Sequence, residues 1–424
     1  MIEMPAVVGD VVRSVGLSTA MKAAGVVTGL LPIPQPTLLV GPGSSARLGQ
    51  AIASFGHRKI LLVTDRVVAK LGLPRALTAA LRKGGTDVVV FDAISPDAPV
   101  AEIEKGIAFY KARGCDAIVA FGGGSPMDAA KAIGYAVANR KHPTKLVGYF
   151  KGLHAPPPLY AVPTTSGTGS EVTVAAVFSD PESGRKLVIA DTRLVPSMAA
   201  LDPELMTGLP ADVTAATGMD ALTHAVEAFI GQWANDYTDR MALAAVGLIY
   251  ANLPVAARHP RDLQAREHMA LAATYAGLAF TRANVGYVHA IAHQFGGRYH
   301  TPHGLANAIL LPHVLAFLAP SITRRLALLA VAAKLGKANE KPATLAKKFL
   351  ASIAKMNARL GIPRTLAALR EEDIPAIAKD ACWEADTNYP VPRYMSPKTC
   401  EGVIRAVLPA GGASSRKRAP RTSR

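Results

Sequence analysis

Residues 218–229 read GMDALTHAVEAF, and this stretch places an aspartate and a histidine four positions apart, at Asp220 and His224. After the opening glycine it contains neither Gly nor Pro, and its composition predicts a helix. Residues four apart lie on one face of a helix, so the two side chains should point the same way. We expect a helix that presents a carboxylate and an imidazole together, as a metal site requires.

A second histidine pair with the same spacing follows at His289 and His293, and His303 lies in a turn-rich segment, residues 301–304. One histidine on an apolar helix is more often a hydrogen-bonded core or surface residue than a ligand. Here, however, five of the eleven histidines fall within residues 289–313. One carboxylate with three imidazoles favours a borderline ion such as Fe²⁺, Zn²⁺, Co²⁺ or Mn²⁺, and the donor types do not distinguish among these.

Length and composition fit a folded intracellular protein. The chain has 424 residues, of which 50% are hydrophobic and 18% charged, enough for two well-buried domains. Cys115, Cys382 and Cys400 form no CxxC pair and indicate reduced thiols. No uninterrupted apolar run approaches the roughly 20 residues of a membrane span, and Glu3 and Asp10 disagree with a secretory signal. We predict a cytoplasmic protein without a membrane segment.

The formal net charge of +16 suggests nucleic-acid binding as one function to consider. Five of the basic residues lie in the last nine positions, and we interpret residues 409–424 as a disordered basic tail. The remaining excess is scattered, without interleaved aromatic residues or a recognition-helix pattern. A solvated surface and an anionic cofactor explain it better, so nucleic acid is not an expected partner. Residues 1–36 are interpreted as an added N-terminal arm.

Between residues 37 and 210, short β-rich runs alternate with helical runs. Strands are predicted at 59–64, 87–91 and 116–121, and helices at 74–83 and 100–113. Continuous apolar strands alternating with amphipathic helices are typical of a parallel sheet covered on both faces. Such sheets bind ligands at the carboxyl ends of their strands.

Three features at predicted strand ends favour a nucleotide. The turn GGGSPMDAAK, residues 122–131, runs into a helix whose N-terminus suits a phosphate, although it is not G-x-G-x-x-G and a plain strand–helix turn fits it equally well. The loop PTTSGTGSEV, residues 163–172, supplies hydroxyls and glycines, and Lys186 supplies a cation. Asp65 ends another strand; it would suit the ribose of NAD and repel the 2′-phosphate of NADP, or it would simply cap a helix.

In order and spacing, GGGSPMD, PTTSGTGSE, GMDALTH and the segment from His289 to His303 resemble the iron-dependent (group III) alcohol dehydrogenases. The resemblance covers roughly residues 37–405. It implies an α/β N-terminal dinucleotide-binding domain with a Rossmann-like parallel sheet (residues 37–210) and an all-α C-terminal metal-binding domain (residues 211–408). It also implies an NAD-linked dehydrogenase acting on a small primary alcohol or diol, with Fe²⁺ or Zn²⁺, as a homodimer or larger homo-oligomer.

The resemblance also implies roles for individual residues. His293 would lie beside the nicotinamide and relay a proton, or would only pack against the cofactor ring. Asp65 would face the adenosine ribose. The metal ligands would be Asp220, His224, His289 and His303. The pyrophosphate would lie on Gly123, Gly124 and Ser125, and the cofactor site would be completed by Thr164, Thr165, Thr168 and Lys186.

The chain departs from the family pattern in two places. Where many members have Pro-Asn-Pro, residues 95–99 read SPDAP, which makes Asp97 the predicted cofactor contact. Near the C-terminus the usual Asn-Pro-Arg is stretched to NYPVPR, residues 388–393, which would reshape one wall of the substrate pocket. Both departures bear on substrate specificity more than on the type of reaction.

Two other enzyme classes compete with a dehydrogenase. A dehydroquinate synthase-like lyase would also pair NAD with a metal, but it needs a strongly cationic pocket, and few cations lie between His224 and His289. A non-haem iron oxygenase would need two histidines, one carboxylate and open positions for oxygen. The additional histidine and the phosphate loop argue against the oxygenase, and the lyase remains the alternative.

Overall fold

The structure, a computed structural model, describes residues 31–181 and 185–409, together with residues 16–19, 21–23, 25, 26 and 29. Much of the predicted N-terminal arm therefore lies outside the described residues. The predicted basic tail lies outside them from residue 410 onward.

A six-stranded parallel sheet forms the centre of the N-terminal half, and a three-stranded sheet lies beside it. The strands are β1 (Thr37–Val40), β2 (Lys59–Val63), β3 (Asp87–Phe91), β4 (Ala117–Gly122), β5 (Gly148–Tyr149), β6 (Leu159–Pro163), β7 (Ala175–Asp180), β8 (Arg185–Ala190) and β9 (Met198–Leu201). The large sheet has the order β1-β9-β6-β4-β2-β3, and the small sheet has the order β5-β8-β7, with β7 antiparallel to β8. The sequence predicted the first arrangement but not the small sheet.

The large sheet is buried on both faces, as its continuous apolar strands predict. On β2, Leu61 and Val63 contribute to the apolar cluster on one face, while Ile60 and Leu62 contribute to the cluster on the other. All four side chains are fully buried. Successive residues of a strand point to opposite faces, so an uninterrupted apolar strand requires helices on both sides.

Helices cover this sheet, and helices without strands make up the described part of the C-terminal half, residues 211–409. Those of the first half are α1 (Ser44–Ala53), α2 (Arg66–Lys70), α3 (Arg75–Lys83), α4 (Val100–Arg113) and α5 (Gly124–Asn139). Those of the second half are α6 (Ala211–Ile230), α7 (Asp236–Arg258), α8 (Leu263–Ala283), α9 (Tyr287–Tyr299), α10 (His303–Ala332), α11 (Pro342–Arg359), α12 (Ile374–Asn388) and α13 (Pro397–Arg405). The predicted fold class, an α/β half followed by an all-α half, is confirmed.

The segment around His303 differs from the prediction. His303 is not within a turn but is the first residue of α10, and Pro302 precedes it as the N-cap. Proline fits at a helix start because the first backbone amides have no partner within the helix. His303 is therefore held by a long helix, whose buried face also carries Asn307 one turn later.

Two helices, α7 and α10, are long and apolar enough to span a membrane by length and hydropathy, contrary to the expectation that no such run exists. Ala242, Val246 and Ile249 of α7 and Leu310 and Leu311 of α10 are all fully buried in the helical core. Long apolar helices are needed in the core of a helical domain of this size, because each is covered on several sides by its neighbours. We interpret both as core helices.

Candidate metal centre and cofactor cleft

Three helices bring the four predicted metal ligands together. Asp220 and His224 lie one turn apart on α6, His289 lies in the first turn of α9, and His303 begins α10. One potential ligand atom from each residue lies within 4.8 Å of those of the other three. The first three are buried, and the side chain of His303 is 29% exposed. The sequence spacing on α6 therefore produced the shared face that it predicted.

The surroundings of this cluster favour the neutral form of its histidines, which is the form that binds a metal. Burial is the main cause that lowers the pKa of His224, of His289 and of His303, and the Asp220 carboxylate opposes this effect at His224 and His303. A low pKa keeps a ring-nitrogen lone pair available at neutral pH, and metal affinity depends on it. In the described part of the chain, the buried Nδ1 of His224 has no hydrogen-bond partner. Donor types, spacing and protonation all fit one divalent cation.

A buried carboxylate that the sequence analysis missed lies behind His289. Glu227 places Oε2 at 2.5 Å from Nδ1 of His289, and its Oε1 accepts a hydrogen bond from the Val288 amide at 2.7 Å. Burial raises the pKa of Glu227 to about 8, although backbone amides around the carboxylate oppose this shift. When His289 donates its Nδ1 proton to Glu227, Nε2 is left free for an ion, the usual second partner of a metal-binding histidine. Glu227 is three residues after His224, so helical spacing could have identified it.

His293 lies next to the cluster and has a carboxylate partner of its own. Its ring stacks on that of His303 with centroids 5.4 Å apart, and its Nδ1 donates to Oε1 of Glu384 at 2.6 Å. The hydroxyl of Tyr389 donates to the same oxygen at 2.7 Å, and the Gln294 amide donates to the other oxygen at 3.2 Å. This arrangement leaves Nε2 of His293 as its proton-accepting atom. No motif indicated Glu384, which reaches His293 only through the packing of α12 on α9.

The two glycine- and threonine-containing loops meet at the carboxyl ends of β4 and β6. The Thr164 amide donates to the carbonyl of Gly122 at 3.0 Å. A Cβ atom at Gly123 would lie 3.4 Å from Oγ1 of Thr165, and one at Gly124 would lie only 2.8 Å from Cγ2 of Thr168. Glycine is thus required where α5 begins beside the threonine loop. The turn and helix N-terminus that the sequence predicted for phosphate lie next to the predicted threonines.

Three further predicted cofactor residues contact one another. The amide of Asp97 donates to Oγ of Ser125 at 3.1 Å, and Nζ of Lys186 lies 2.6 Å from Oδ1 of Asp97. Asp97 has a left-handed backbone, with φ of 66°. The aliphatic end of Lys186 also packs near Gly296 on α9. The structure thus joins the unusual SPDAP loop to the phosphate turn, and Lys186 reaches from the small sheet to the helical half.

Asp65 lies at the carboxyl end of β2 and caps α2, since its Oδ1 accepts a hydrogen bond from the Val68 amide at 2.9 Å. Helix capping is one of the two roles that the sequence left open for Asp65. Oδ2 of Asp65 also lies 3.6 Å from where a Cβ of Gly122 would be, so the carboxylate adjoins the glycine turn. Capping uses one oxygen and leaves the second facing the turn.

A cleft of about 860 Å³ separates the small sheet from α9 and α12. It is lined by Lys186, a predicted cofactor residue, and by His293, whose ring stacks on that of the predicted metal ligand His303. Two largely exposed aromatic residues, Tyr149 and Trp383, also line this cleft, and Tyr389, from the stretched NYPVPR segment, forms part of its wall. Two residues of this segment, Asn388 and Tyr389, thus line the cleft.

Comparisons with known proteins agree with this geometry. The model for "Iron-containing alcohol dehydrogenase" matches residues 35–203, and that for "Fe-containing alcohol dehydrogenase family, C-terminal" matches residues 214–408. The chain is 40% identical over 372 residues to a 1,3-propanediol dehydrogenase of Citrobacter freundii, covering 86% of this chain and 95% of the relative. It is 37% identical over 348 residues to an NAD-dependent methanol dehydrogenase of Bacillus methanolicus, covering 82% and 91%.

Among solved structures, a 1,3-propanediol oxidoreductase superposes with a TM-score of 0.86 at 38% identity, covering 89% of this chain and all of the other. These matches define an oxidoreductase of the iron-containing type, and the Asp/His cluster is consistent with a metal ion. The chain belongs to the iron-containing alcohol dehydrogenase family. The resemblance inferred from the four motifs is therefore confirmed, and the lyase alternative is not favoured.

Proposed function

We propose that this protein interconverts a small primary alcohol or diol and its aldehyde, with NAD as hydride carrier and Fe²⁺ as the resident ion, Zn²⁺ being the alternative. The observation that carries the proposal is the common cleft, which is lined by His293, whose ring stacks on that of the proposed ligand His303, and by Lys186, which pairs with Asp97 next to the predicted phosphate turn. Hydride transfer needs the alcohol carbon and the nicotinamide at close range, and a cleft between the two sites provides this.

The ion and the cofactor divide the chemistry. A divalent cation supplies charge that makes an alcohol group more acidic, and a nicotinamide supplies the hydride acceptor. Asp220, His224, His289 and His303 would hold the ion, and Glu227 orients His289. His293 accepts the alcohol proton at Nε2, while Glu384 fixes its ring through Nδ1 and stabilises the imidazolium that results.

The nucleotide side is proposed to bind NAD through its two loops. Residues 123–125 bind the pyrophosphate with backbone amides at the start of α5, where the helix dipole favours negative charge. Thr164, Thr165, Thr168 and Lys186 surround the same ligand. The free oxygen of Asp65 contacts the ribose and disfavours a 2′-phosphate. In this scheme residues 37–210 form the nucleotide-binding domain and residues 211–408 the metal-binding domain.

The substrate class is supported by the relatives, which are named for 1,3-propanediol and methanol. The lyase alternative would need unpaired cations in the cleft. Lys186 and Arg298 line it, but they are paired with Asp97 at 2.6 Å and Asp380 at 2.5 Å. An uncharged alcohol suits such a cleft better than a polyanion. We also propose that the protein is cytoplasmic and a homodimer or larger homo-oligomer, as the resemblance implies.

The proposal is tested with purified protein, added Fe²⁺ or Zn²⁺ and NAD, screened at 340 nm against short primary alcohols, diols and hydroxy acids. His303→Ala should abolish turnover, while NADH binding, followed by fluorescence, remains close to that of the wild type. Loss of NADH binding together with loss of metal would contradict the separation of the two sites. Failure of all alcohols with the metal-loaded wild type would contradict the proposed activity.

A further inference from the structure

Described residues of the N-terminal arm, to which the proposed reaction assigns no role, dock on the connection between α6 and α7. The indole Nε1 of Trp233 donates to the carbonyl of Met21 at 2.7 Å, and the hydroxyl of Ser18 donates to Oε1 of Gln232 at 3.0 Å. Met21 is buried, and a Cβ atom at Gly25 would lie only 2.5 Å from Cδ1 of Trp233. The arm therefore lies in close contact with the helical half, and Gly25 permits this contact because it has no side chain.

Gln232 also holds the stretched segment NYPVPR, residues 388–393. Its backbone amide donates to the carbonyl of Pro390 at 2.6 Å, and its side-chain Nε2 donates to the carbonyl of Val391 at 2.5 Å. Proline has no N–H group, so a segment with prolines at positions 390 and 392 has few amides of its own to donate. The carbonyls of this segment therefore depend on donors from elsewhere in the chain, and Gln232 supplies two of them.

The arm helps to set which end of the Gln232 carboxamide faces this segment. The amide oxygen only accepts hydrogen bonds and the amide nitrogen only donates them. With Ser18 donating to Oε1 and the Val391 carbonyl accepting from Nε2, both ends are paired. Removal of the Ser18 hydroxyl takes this donor from the oxygen and weakens the preference for that orientation. The arm precedes the family match, which begins at residue 35, so an added element and a stretched segment meet at one side chain.

From the stretched segment the contacts continue to His293. The amide of Val391 donates to the carbonyl of Tyr389 at 2.8 Å, which closes a tight turn. The hydroxyl of Tyr389 and Nδ1 of His293 both donate to Oε1 of Glu384, at 2.7 and 2.6 Å. A displacement of Tyr389 therefore disturbs the carboxylate oxygen that orients His293. Displacements below about 1 Å already matter for groups that take part in catalysis.

We propose that the N-terminal arm is a positioning element of the active site. It acts through Gln232 on the segment 388–393, and through Tyr389 of that segment on the Glu384–His293 pair. The inference rests on the proposed function, in which His293 accepts the alcohol proton. The arm contacts described above all lie on the helical half and involve none of the proposed metal or cofactor residues. Metal content and NADH binding should therefore not depend on the arm, whereas proton transfer should.

The substitution Gly25→Ala tests this proposal, because the added methyl group collides with Trp233 and displaces the arm from it. Gly16→Ala is the matched control: it is the same substitution in the same arm, at a position where a Cβ meets no described atom within 4 Å. We expect Gly25→Ala to lower kcat/KM for the alcohol about 2- to 10-fold, the range that the loss of one neutral hydrogen bond allows. NADH binding and metal content should be unchanged, and Gly16→Ala should match the wild type.

A double-mutant cycle distinguishes positioning from a general loss of stability. Tyr389→Phe removes the hydroxyl that contacts Glu384. If the arm acts through this hydroxyl, Gly25→Ala should have little further effect on kcat/KM in the Tyr389→Phe protein, because residues that act through one contact are not additive. Effects that multiply would overturn the proposal. A Gly25→Ala protein with wild-type kcat/KM would also overturn it, even with a lower melting temperature, since the arm would then only stabilise the fold.

Ser18 provides a second variant, which takes the place of Gly25→Ala in the cycle if that protein does not fold. Ser18→Ala should lower kcat/KM, and Ser18→Thr, which keeps a hydroxyl, should restore it; an equal loss in both would contradict the role of the hydroxyl.

Amide hydrogen exchange provides a measurement that needs no activity. Peptides spanning residues 386–396 should exchange faster in Gly25→Ala than in Gly16→Ala, because the arm no longer holds Gln232 against them. Equal exchange rates would overturn the proposal whether or not an alcohol is oxidised. If the metal-loaded wild type oxidises no alcohol but exchange responds to Gly25→Ala, the proposed function fails while the coupling of the arm to the segment is upheld.

Discussion

The substitution Glu227→Gln should lower the affinity of the site for metal and should stabilise the folded protein when the ion is absent. Oε1 of Glu227 accepts from the Val288 amide, and Oε2 faces Nδ1 of His289. A glutamine side chain has only one oxygen, so it can accept a hydrogen bond from the Val288 amide or from Nδ1 of His289 but not from both. If its NH₂ faces His289, it favours the ring form with the proton on Nε2, which cannot bind an ion. If its oxygen faces His289, two donors meet at Val288. In both cases metal affinity should fall on the order of 10–100-fold.

The same substitution should stabilise the protein when the ion is absent. Burial raises the pKa of Glu227 from its usual 4.5 to about 8. Between these values the folded protein keeps a proton that the unfolded chain releases, so the stability contributed by this group falls as the pH rises from 4.5 to 8. At pH 7 the loss amounts to roughly 3 kcal/mol, at about 1.4 kcal/mol per pH unit. Glutamine does not titrate, so the ion-free variant should gain up to this amount at pH 7 and nothing near pH 4.5.

Urea unfolding of the ion-free proteins at pH 5 and pH 7, with chelator competition for the affinity, tests both halves of this prediction. Glu384→Gln is the matched control, because Glu384 lies 2.6 Å from Nδ1 of His293 in the same manner, but His293 is not a proposed ligand. That control should lower kcat and leave metal affinity unchanged. A Glu227→Gln variant that binds metal as tightly as the wild type, or that is less stable at pH 7, would refute the reasoning.

Three substitutions test the nucleotide side. Asp97→Asn removes a carboxylate from the proposed cofactor site and breaks the partly exposed ion pair with Lys186. Because Lys186 is then free to meet the anionic cofactor, NADH should bind about 2- to 5-fold more tightly in fluorescence titration. Weaker binding would mean that the Asp97 carboxylate itself contacts the cofactor. Asp65→Gly should raise the NADP to NAD ratio of kcat/KM, and an unchanged ratio would refute the ribose contact. Gly124→Ala places a methyl group against Thr168 and should weaken NADH binding on the order of tenfold, whereas Gly402→Ala, where a Cβ meets no atom within 4 Å, should have no effect.

The sequence predicted those features that depend only on residues close together in the chain. The strand Asp87–Phe91 and the helix Val100–Arg113 have the predicted bounds, because apolar periodicity there is uninterrupted. Asp220 and His224 needed only the helical repeat to be placed together. The start of the helix at His303 was missed because residues 301–304, Thr-Pro-His-Gly, are typical of turns. These four residues alone do not indicate the long helix that follows.

The parts that sequence did not predict depend on packing between distant segments. Glu384 reaches His293 because α12 lies against α9, and Lys186 pairs with Asp97 because the small sheet adjoins the phosphate turn. Neither contact has a signature in the spacing of residues. The small sheet was not predicted either, although two of its strands, β7 and β8, have six residues each. Glu227 is an exception, because its spacing of three residues from His224 is visible in the sequence, whereas its burial is visible only in the structure.

The ion-free site contains titratable and polar groups whose burial is energetically unfavourable. The pKa is lowered at the buried His224 and His289 and at the partly exposed His303, and it is raised at the buried Glu227. Two buried polar atoms, on His224 and Asn307, lack partners within the described residues. Each costs free energy in a helical core that is otherwise apolar. A divalent ion would supply the missing partner to most of them at once. The binding energy of an ion would therefore also act as folding energy, and it would act on the three helices that carry the proposed ligands and not on the sheet proposed to bind the nucleotide. If the two proposed sites are right, metal would rigidify the helical half, while the half that contains the sheet would receive and release the cofactor.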